Sequence, residues 1–264
     1  LGLNENDLIF LGYPDGGVGE LYFTFFRATD SLIGANGQTV TYGSRGLGRT
    51  DYHNYRFGSH AVYNGFNAIN DLKDIITSIR PDQIITVAEF DVHGDHEATA
   101  YMTIDALRAV SAAIPGYFPV LNKSLVWTAD SDAWPNAANP QTNFIEPAGL
   151  AGFGYQWAAR ESLDVPAVMQ VTDISNLKIR ALNSHLSQGG ASDEFLGRFV
   201  HKDEFFWPVS FNTANLPPTV DAGTDQTVAE YALVTLNGSL SRDPEGNSLT
   251  YQWRQVSGPV VTLV

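Results

Sequence analysis

The chain has 264 residues, enough for one or two domains with a sizeable core, and its 44% hydrophobic and 12% aromatic content marks it as globular rather than disordered. A formal net charge of -14 repels phosphate backbones and argues against a nucleic-acid partner. The absence of cysteine excludes disulfides, thiolate zinc sites and cysteine nucleophiles, and no apolar run approaches the length of a membrane span.

In chain order, Leu8-Ile9-Phe10-Leu11-Gly12 predicts a strand, and Tyr13-Pro14-Asp15-Gly16-Gly17 predicts the turn after it. Residues 34–60, rich in Gly, polar and aromatic residues, predict a long functional loop. Phe66, Ile69, Leu72, Ile76 and Ile79 recur at helical spacing and stop at Arg80-Pro81. Gln83-Ile84-Ile85-Thr86-Val87-Ala88 predicts a buried strand, and a helix follows with Met102, Ala106, Leu107 and Val110 on one face. Ser124 to Thr128 and Ala167 to Val171 predict further strands, and Ile174 to Leu186 and Ser192 to Phe199 predict helices. Strands alternating with helices imply an α/β fold with a Rossmann-like, doubly wound, mostly parallel sheet.

The composition changes near Asn212. We read residues 1–212 as the α/β domain, 213–218 as a linker with Leu216-Pro217-Pro218, and 219–264 as part of an Ig-like β-sandwich module. In that module short β-type runs alternate with Asp/Gly/Asn/Pro turns, and Trp253 is expected in the buried core. The chain opens Leu1-Gly2-Leu3 without an initiator Met and breaks off at Val264 inside a strand-like pattern, so it reads as a fragment of a longer protein.

The strongest chemical signal is Asp91-Val92-His93-Gly94-Asp95-His96, placed where a strand ends and a helix begins. Ligands of open α/β sheets bind at the carboxyl ends of strands. Imidazole and carboxylate are the side chains that hold a catalytic zinc and move protons at neutral pH. A plainer alternative is a polar loop in which Asp95 is the N-cap of the next helix.

Together with Phe10-Leu11-Gly12-Tyr13-Pro14-Asp15-Gly16-Gly17, Arg80-Pro81-Asp82-Gln83-Ile84, Lys178-x-x-Ala181-Leu182-x-x-His185-x-Ser187-Gln188 and Glu204-x-Phe206-Trp207, this string resembles the PIG-L/LmbE-like N-acetylglucosaminyl deacetylases, in the family's order from residue 1 to about 207. Pro217-Pro218-x-Val220-Asp221-Ala222-Gly223 and Leu249-Thr250-Tyr251-Gln252-Trp253 resemble the first half of a PKD/REJ-type Ig-like repeat, a module common in secreted bacterial enzymes. The first resemblance implies an LmbE-like fold, Zn2+ as cofactor and an N-acetylated amino sugar or glycoconjugate as substrate. It implies that His96 is a zinc ligand, that His93 stabilises the oxyanion or protonates the leaving amine, that Asp95 orients His93, and that Asp15 binds sugar hydroxyls. The plain alternative for Asp15 is a turn-forming Asp before Gly-Gly. The family's His-Pro-Asp-Asp type motif, which carries two more zinc ligands and the general base, has no counterpart in the chain. The resemblance therefore implies that the first strands are missing and that the chain alone is inactive.

Other signals carry less. Gly43-Ser44-Arg45-Gly46-Leu47-Gly48 lacks the Lys-Ser/Thr ending of a phosphate loop and reads as a substrate-side loop. Ser184, His185 and Ser187 sit at helical spacing without a nucleophile elbow, which rejects a serine nucleophile. His53, His60 and His201 are assigned no role. Asp221, Asp225, Asp243 and Glu245 read as solvated turns in preference to calcium ligands. The expected activity is zinc-dependent hydrolysis of the N-acetyl amide, releasing acetate, in a secreted or cell-surface protein held to a surface or polysaccharide by its Ig-like repeats. The rival expectation is a non-catalytic, secreted carbohydrate-binding or adhesive protein.

Overall fold

In the computed structural model the helical spacing after Phe66 becomes α3 (Gly65–Ile79). Asn64 caps it by accepting from the Asn67 amide at 2.8 Å, and Arg80, left-handed at φ 50°, ends it just before Pro81. Ile69, Leu72 and Ile76 pack into the core, whereas Phe66 and Ile79 stay exposed. The structure describes residues 3–128, 134–185, 189–192, 195–210, 218, 220–229, 231–239, 241 and 249–262. Leu186, Ser187 and Gln188, and likewise Pro217, Asp243 and Glu245, lie outside the described residues.

Next come β1 (Gln83–Val87), α4 (Gly94–Ala113) and β2 (Val120–Ser124). β1 and β2 pair in parallel from Gln83↔Val120 to Val87↔Ser124, so α4 is the crossover of a βαβ unit. Met102, Ala106, Leu107 and Val110 of α4 are all buried, as their spacing predicts. They pack beneath α3 and a short helix, α1 (Val18–Phe23). Two further helices are α2 (Tyr52–Phe57), inside the expected long loop, and α5 (Leu177–Asn183), capped by Asn176.

The sheet is mixed, a correction to the mostly parallel expectation. Its order is β1-β2-β4-β3, with β3 at Glu161–Asp164 and β4 at Asp203–Ser210. β2/β4 and β3/β4 are both antiparallel. Among the described residues the β1–β2 connection is the long helical crossover that makes a parallel pair; β3 is reached through loops and 3-10 turns, and β4 through the short α5 and further 3-10 turns, and both of β4's pairings run antiparallel. β1 lies at the sheet edge and is not the buried strand expected, with Ile85 62% exposed.

Three other expected strands move or vanish. Leu8–Gly12 is coil: the Leu8 and Phe10 carbonyls accept from the Leu47 and Tyr52 amides, both at 2.8 Å, rather than from a neighbouring strand. A Cβ at Gly12 (φ 76°) would meet the Tyr42 carbonyl oxygen at 2.2 Å, so only glycine fits there. The strand expected at 124–128 ends at Ser124, because β2 starts earlier, through the buried polar pair Asn122 and Lys123. The Lys123 ammonium is accommodated by Glu89 (2.9 Å) and the Tyr155 hydroxyl (3.1 Å). At 167–171 Pro166 instead opens a 3-10 turn, Ala167–Met169, closed by Met169 N–H to the Pro166 carbonyl at 2.7 Å. The expected helix at 192–199 is represented by two 3-10 turns, Gly190–Ser192 and Leu196–Phe199.

An apolar core joins Ile76, Ile104, Leu107, Val110 and Leu121. A second, aromatic core joins Phe90, Trp134, Phe144, Phe205 and Trp207. At about 1.5–3 kcal/mol per fully buried large side chain, these clusters are what hold the β1 and β2 ends in place.

The chain divides into two compact units, Leu1–Phe211 and Asn212–Val264. In the second, no strand is assigned among the described residues, so the expected sandwich is not confirmed there. Trp253, expected in a buried core, is 37% exposed, and Val260 is 95% exposed. Asp221 accepts from the Gly223 amide at 2.7 Å, the turn geometry read for it from sequence. No helix among the described residues is long and apolar enough to cross a membrane.

Candidate active site

The carboxyl ends of β1 and β2 and the N-terminus of α4 meet at Asp91. This side chain is fully buried, and it accepts four hydrogen bonds. Oδ1 takes the His93 amide and faces His96 Nδ1, both at 3.0 Å. Oδ2 takes the Val126 amide at 2.9 Å and the Trp127 amide at 2.8 Å. Burial pushes the carboxyl up, but the bonds from His96 and from the Trp127, His93 and Val126 amides together outweigh it and hold Asp91 below the usual aspartate range. An ionised Asp91 thus clamps the residues after β2 to the residues after β1 and fixes the His96 ring.

The two histidines are oriented oppositely. His96 Nδ1 faces a carboxylate, so it carries the proton, and Nε2 is left as a lone-pair donor. His93 is the N-cap of α4, and its Nδ1 accepts from the Asp95 amide at 3.3 Å. In neutral His93 the proton therefore sits on Nε2, which can donate. The rings lie 4.6 Å apart between centroids, and His96 remains 31% exposed at its side chain. One imidazole is set to bind a cation and its neighbour to donate to an anion.

Asp95 is not the N-cap of α4; that position belongs to His93, because the preceding Asp91 draws the His93 amide back and the imidazole reaches the Asp95 amide instead. The Asp95 carboxylate turns the other way. It accepts from Gly16 N–H at 2.7 Å and Gly19 N–H at 3.0 Å, the second being an otherwise orphan amide of the first turn of α1. A Cβ at Gly19 would meet the Gly94 carbonyl oxygen at 3.2 Å, so glycine allows the two helix starts to come this close. Asp95 thereby ties the turn bearing Asp15, which is exposed, to the start of α4. The bond that touches the His93 ring comes from the Asp95 backbone, not its carboxylate. Asp95→Ala is expected to speed hydrogen exchange of the Gly16 and Gly19 amides by about tenfold, with the interior of α4 still protected. Unchanged exchange would mean that something else holds this turn.

The structure therefore brings His93 and His96 together at the α4 N-terminus, while Asp95 turns to the start of α1 and Asp15 stands on the turn that Asp95 holds. Two others were not assigned a role there. Asp91 stands in the same string, at i−2 and i−5 from the two histidines, a spacing that a strand-to-helix turn brings together. Trp127 had no sequence signal: its ring packs edge-to-face on His93, centroids 5.4 Å apart at 80°.

Three other histidines make contacts away from this string. His53 Nδ1 lies 2.7 Å from Asp71 and His60 Nδ1 2.5 Å from Asp51, while the buried His201 faces the Thr142 and Asn136 carbonyls. The Gly43–Gly48 loop bonds to Glu5 and Leu8. Lys178 pairs with Glu204, joining the two later motifs.

The chemistry of His96 fits one ligand of a zinc site, a neutral imidazole whose other nitrogen is held by a carboxylate. Among the described residues no three His, Asp or Glu side chains are gathered to hold a metal ion.

Residues 1–107 match the family model of PIG-L, GlcNAc-PI de-N-acetylase, and residues 222–264 match that of the K319L-like PKD domain. Both resemblances read from the motifs are thus shown, the first over the stretch that contains Asp15, Asp91, His93, Asp95 and His96. The Lys178 and Glu204 motifs lie outside the two matches. No curated protein and no solved structure matches the chain.

Proposed function

We propose that this chain, with its PIG-L-type segment over residues 1–107 and its PKD-type segment over 222–264, is part of a zinc-dependent deacetylase acting on an N-acetylated amino sugar or glycoconjugate. The family match supports a deacetylase-like hydrolase, and the observation that carries the finer reading is the opposed pair of imidazoles. His96 offers Nε2 to the metal, and the buried Asp91 keeps that nitrogen free of its proton. The other ligands come from outside the set gathered here, since catalytic zinc normally takes three protein ligands. Zinc, when bound, polarises the acetyl carbonyl and lowers the pKa of a bound water to about 7.

The chain's own residues supply the rest. His93 Nε2–H donates to the oxygen that becomes negative as water adds to the amide carbon. The attacking water gives up a proton to a general base outside the set gathered here, and as the C–N bond breaks that proton passes to the departing nitrogen while His93 keeps its Nε2–H on the oxygen. The products are acetate and a free amine. Asp15, on the turn held by Asp95, meets sugar hydroxyls. The PKD-type segment serves as a spacer outside the cell and as attachment to a surface or polysaccharide; folds of this kind act by holding, not by reacting.

The test is release of free amine from a methyl N-acetylglucosaminide by the full-length protein. Turnover should vanish with a chelator and return with zinc. Amine release that a chelator leaves untouched would remove the metal from this reading, and no release from any N-acetyl amino sugar would remove the reading itself.

A further inference from the structure

We infer that Trp127 is the sugar-ring platform of this site: its indole stacks on the apolar face of the substrate pyranose, and its ring N–H donates to a hydroxyl at the edge. The inference rests on the reading of an N-acyl amino sugar as substrate and adds the residue that selects for the ring.

Three observations carry it. First, position: Trp127 follows β2 at the carboxyl end of the sheet, and its backbone N–H is bound by Asp91, the carboxylate that also fixes His96. Its ring meets His93 on one side at 5.4 Å and Phe195 on another at 5.4 Å, both edge-to-face, at 80° and 88°. Those contacts hold the indole without covering it as a stacked ring would; 37% of the residue is open to solvent. Second, the polar handle: the indole N–H of Trp134 donates to the Ile145 carbonyl at 3.0 Å and that of Trp207 to the Gln156 carbonyl at 3.1 Å. The Trp127 ring N–H has no such acceptor among the described residues. Third, chemistry: the axial C–H bonds on one face of a hexosamine are polarised by the neighbouring oxygens and are attracted to the negative face of an aromatic ring, best to indole. An exposed tryptophan alone is unremarkable on a surface. One braced beside the hydrogen-bond-donating imidazole, with its N–H unpartnered among the described residues, is placed to orient a sugar so that the acetamido group faces His93.

Trp127→Ala is the informative variant, with Trp127→Phe keeping a stacking face but losing the N–H. Two measurements separate this inference from the proposed function. In saturation-transfer NMR with methyl N-acetyl-β-glucosaminide, the full-length protein should transfer most strongly to the axial ring protons. Trp127→Ala should abolish that pattern, and Trp127→Phe should keep part of it. In turnover, Trp127→Ala should raise KM for the glucosaminide at least about tenfold, against a smaller rise for an acyclic N-acetyl amino alcohol. Ring-proton transfer without turnover in the wild type would leave the platform standing and overturn the deacetylase. Turnover with a KM for the glucosaminide that Trp127→Ala leaves unchanged would overturn the platform and leave the deacetylase. Equal losses on the ring and the acyclic substrate would show that the indole only braces His93, and would also overturn it.

Discussion

His96→Ala in the full-length protein is expected to lose bound zinc and turnover together, whereas His93→Ala keeps the zinc and loses turnover by roughly a hundredfold or more. The difference follows from the tautomers. His96 directs its proton at Asp91 and its lone pair outward, so under the proposed function its removal deletes a metal ligand. His93 accepts the Asp95 amide through Nδ1 and has only an Nε2–H to offer, so its removal deletes a donor to transition-state charge. Metal content by atomic emission beside kcat separates the two. Loss of zinc in His93→Ala with retention in His96→Ala would reverse the assignment. His93→Gln restores a donor of similar reach and should recover part of the rate, which a purely structural cap would not.

Asp91→Ala is expected to be the most destabilising single change at the site. It leaves three backbone amides, those of His93, Val126 and Trp127, and the His96 Nδ1–H without their acceptor in a fully buried position. At about 1–3 kcal/mol per buried donor, and allowing for relaxation and water entry, a loss of about 4 kcal/mol is reasonable. For a unit of this size that corresponds to a fall on the order of 10 °C in Tm. Zinc affinity should fall by about 10–100-fold as the His96 ring loses its anchor.

Asp91→Asn separates charge from hydrogen bonding, because it keeps one acceptor oxygen and turns an NH2 toward donors. Its deficit should depend on pH. The folded-state pKa of Asp91 lies below its unfolded value, so the stability it contributes is fully present above the ordinary aspartate pKa of about 3.9 and is lost as pH falls through the folded value. The gap in Tm between wild type and Asp91→Asn should therefore be constant from neutral pH down to about pH 5 and shrink in stronger acid. A gap that failed to shrink well below the ordinary aspartate range would mean that Asp91 is not held ionised by these bonds.

How legible the molecule is from its sequence depends on whether a feature is local. α3 and α4 were readable because an apolar stripe at helical spacing, stopped for α3 by Arg80-Pro81, is a property of consecutive residues. The site string was readable for the same reason: a strand-to-helix turn brings His93, Asp95 and His96 together whatever surrounds it. β2 was misplaced because its middle is Asn122 and Lys123, which look like surface residues until Glu89 and Tyr155, far away in sequence, are seen to partner the ammonium. β3 is exposed along its whole length, so it carries no apolar alternation to read, and its existence depends on pairing with β4.

The sequence by itself determined the chemistry: two imidazoles and their carboxylates at a strand end, on a chain without cysteine and with an acidic surface. Tertiary structure alone decided what each group does. Asp95 became a clamp on the Asp15 turn because α1 presents two amides to it, and Asp91 became the anchor of His96 because residues 126 and 127 return to it from β2. Trp127 joined the site because that same return brings its ring against His93. A hydrogen bond or ring contact between residues more than thirty positions apart leaves no periodic trace in either segment, because each segment's pattern reports only which face is buried and not what it is buried against.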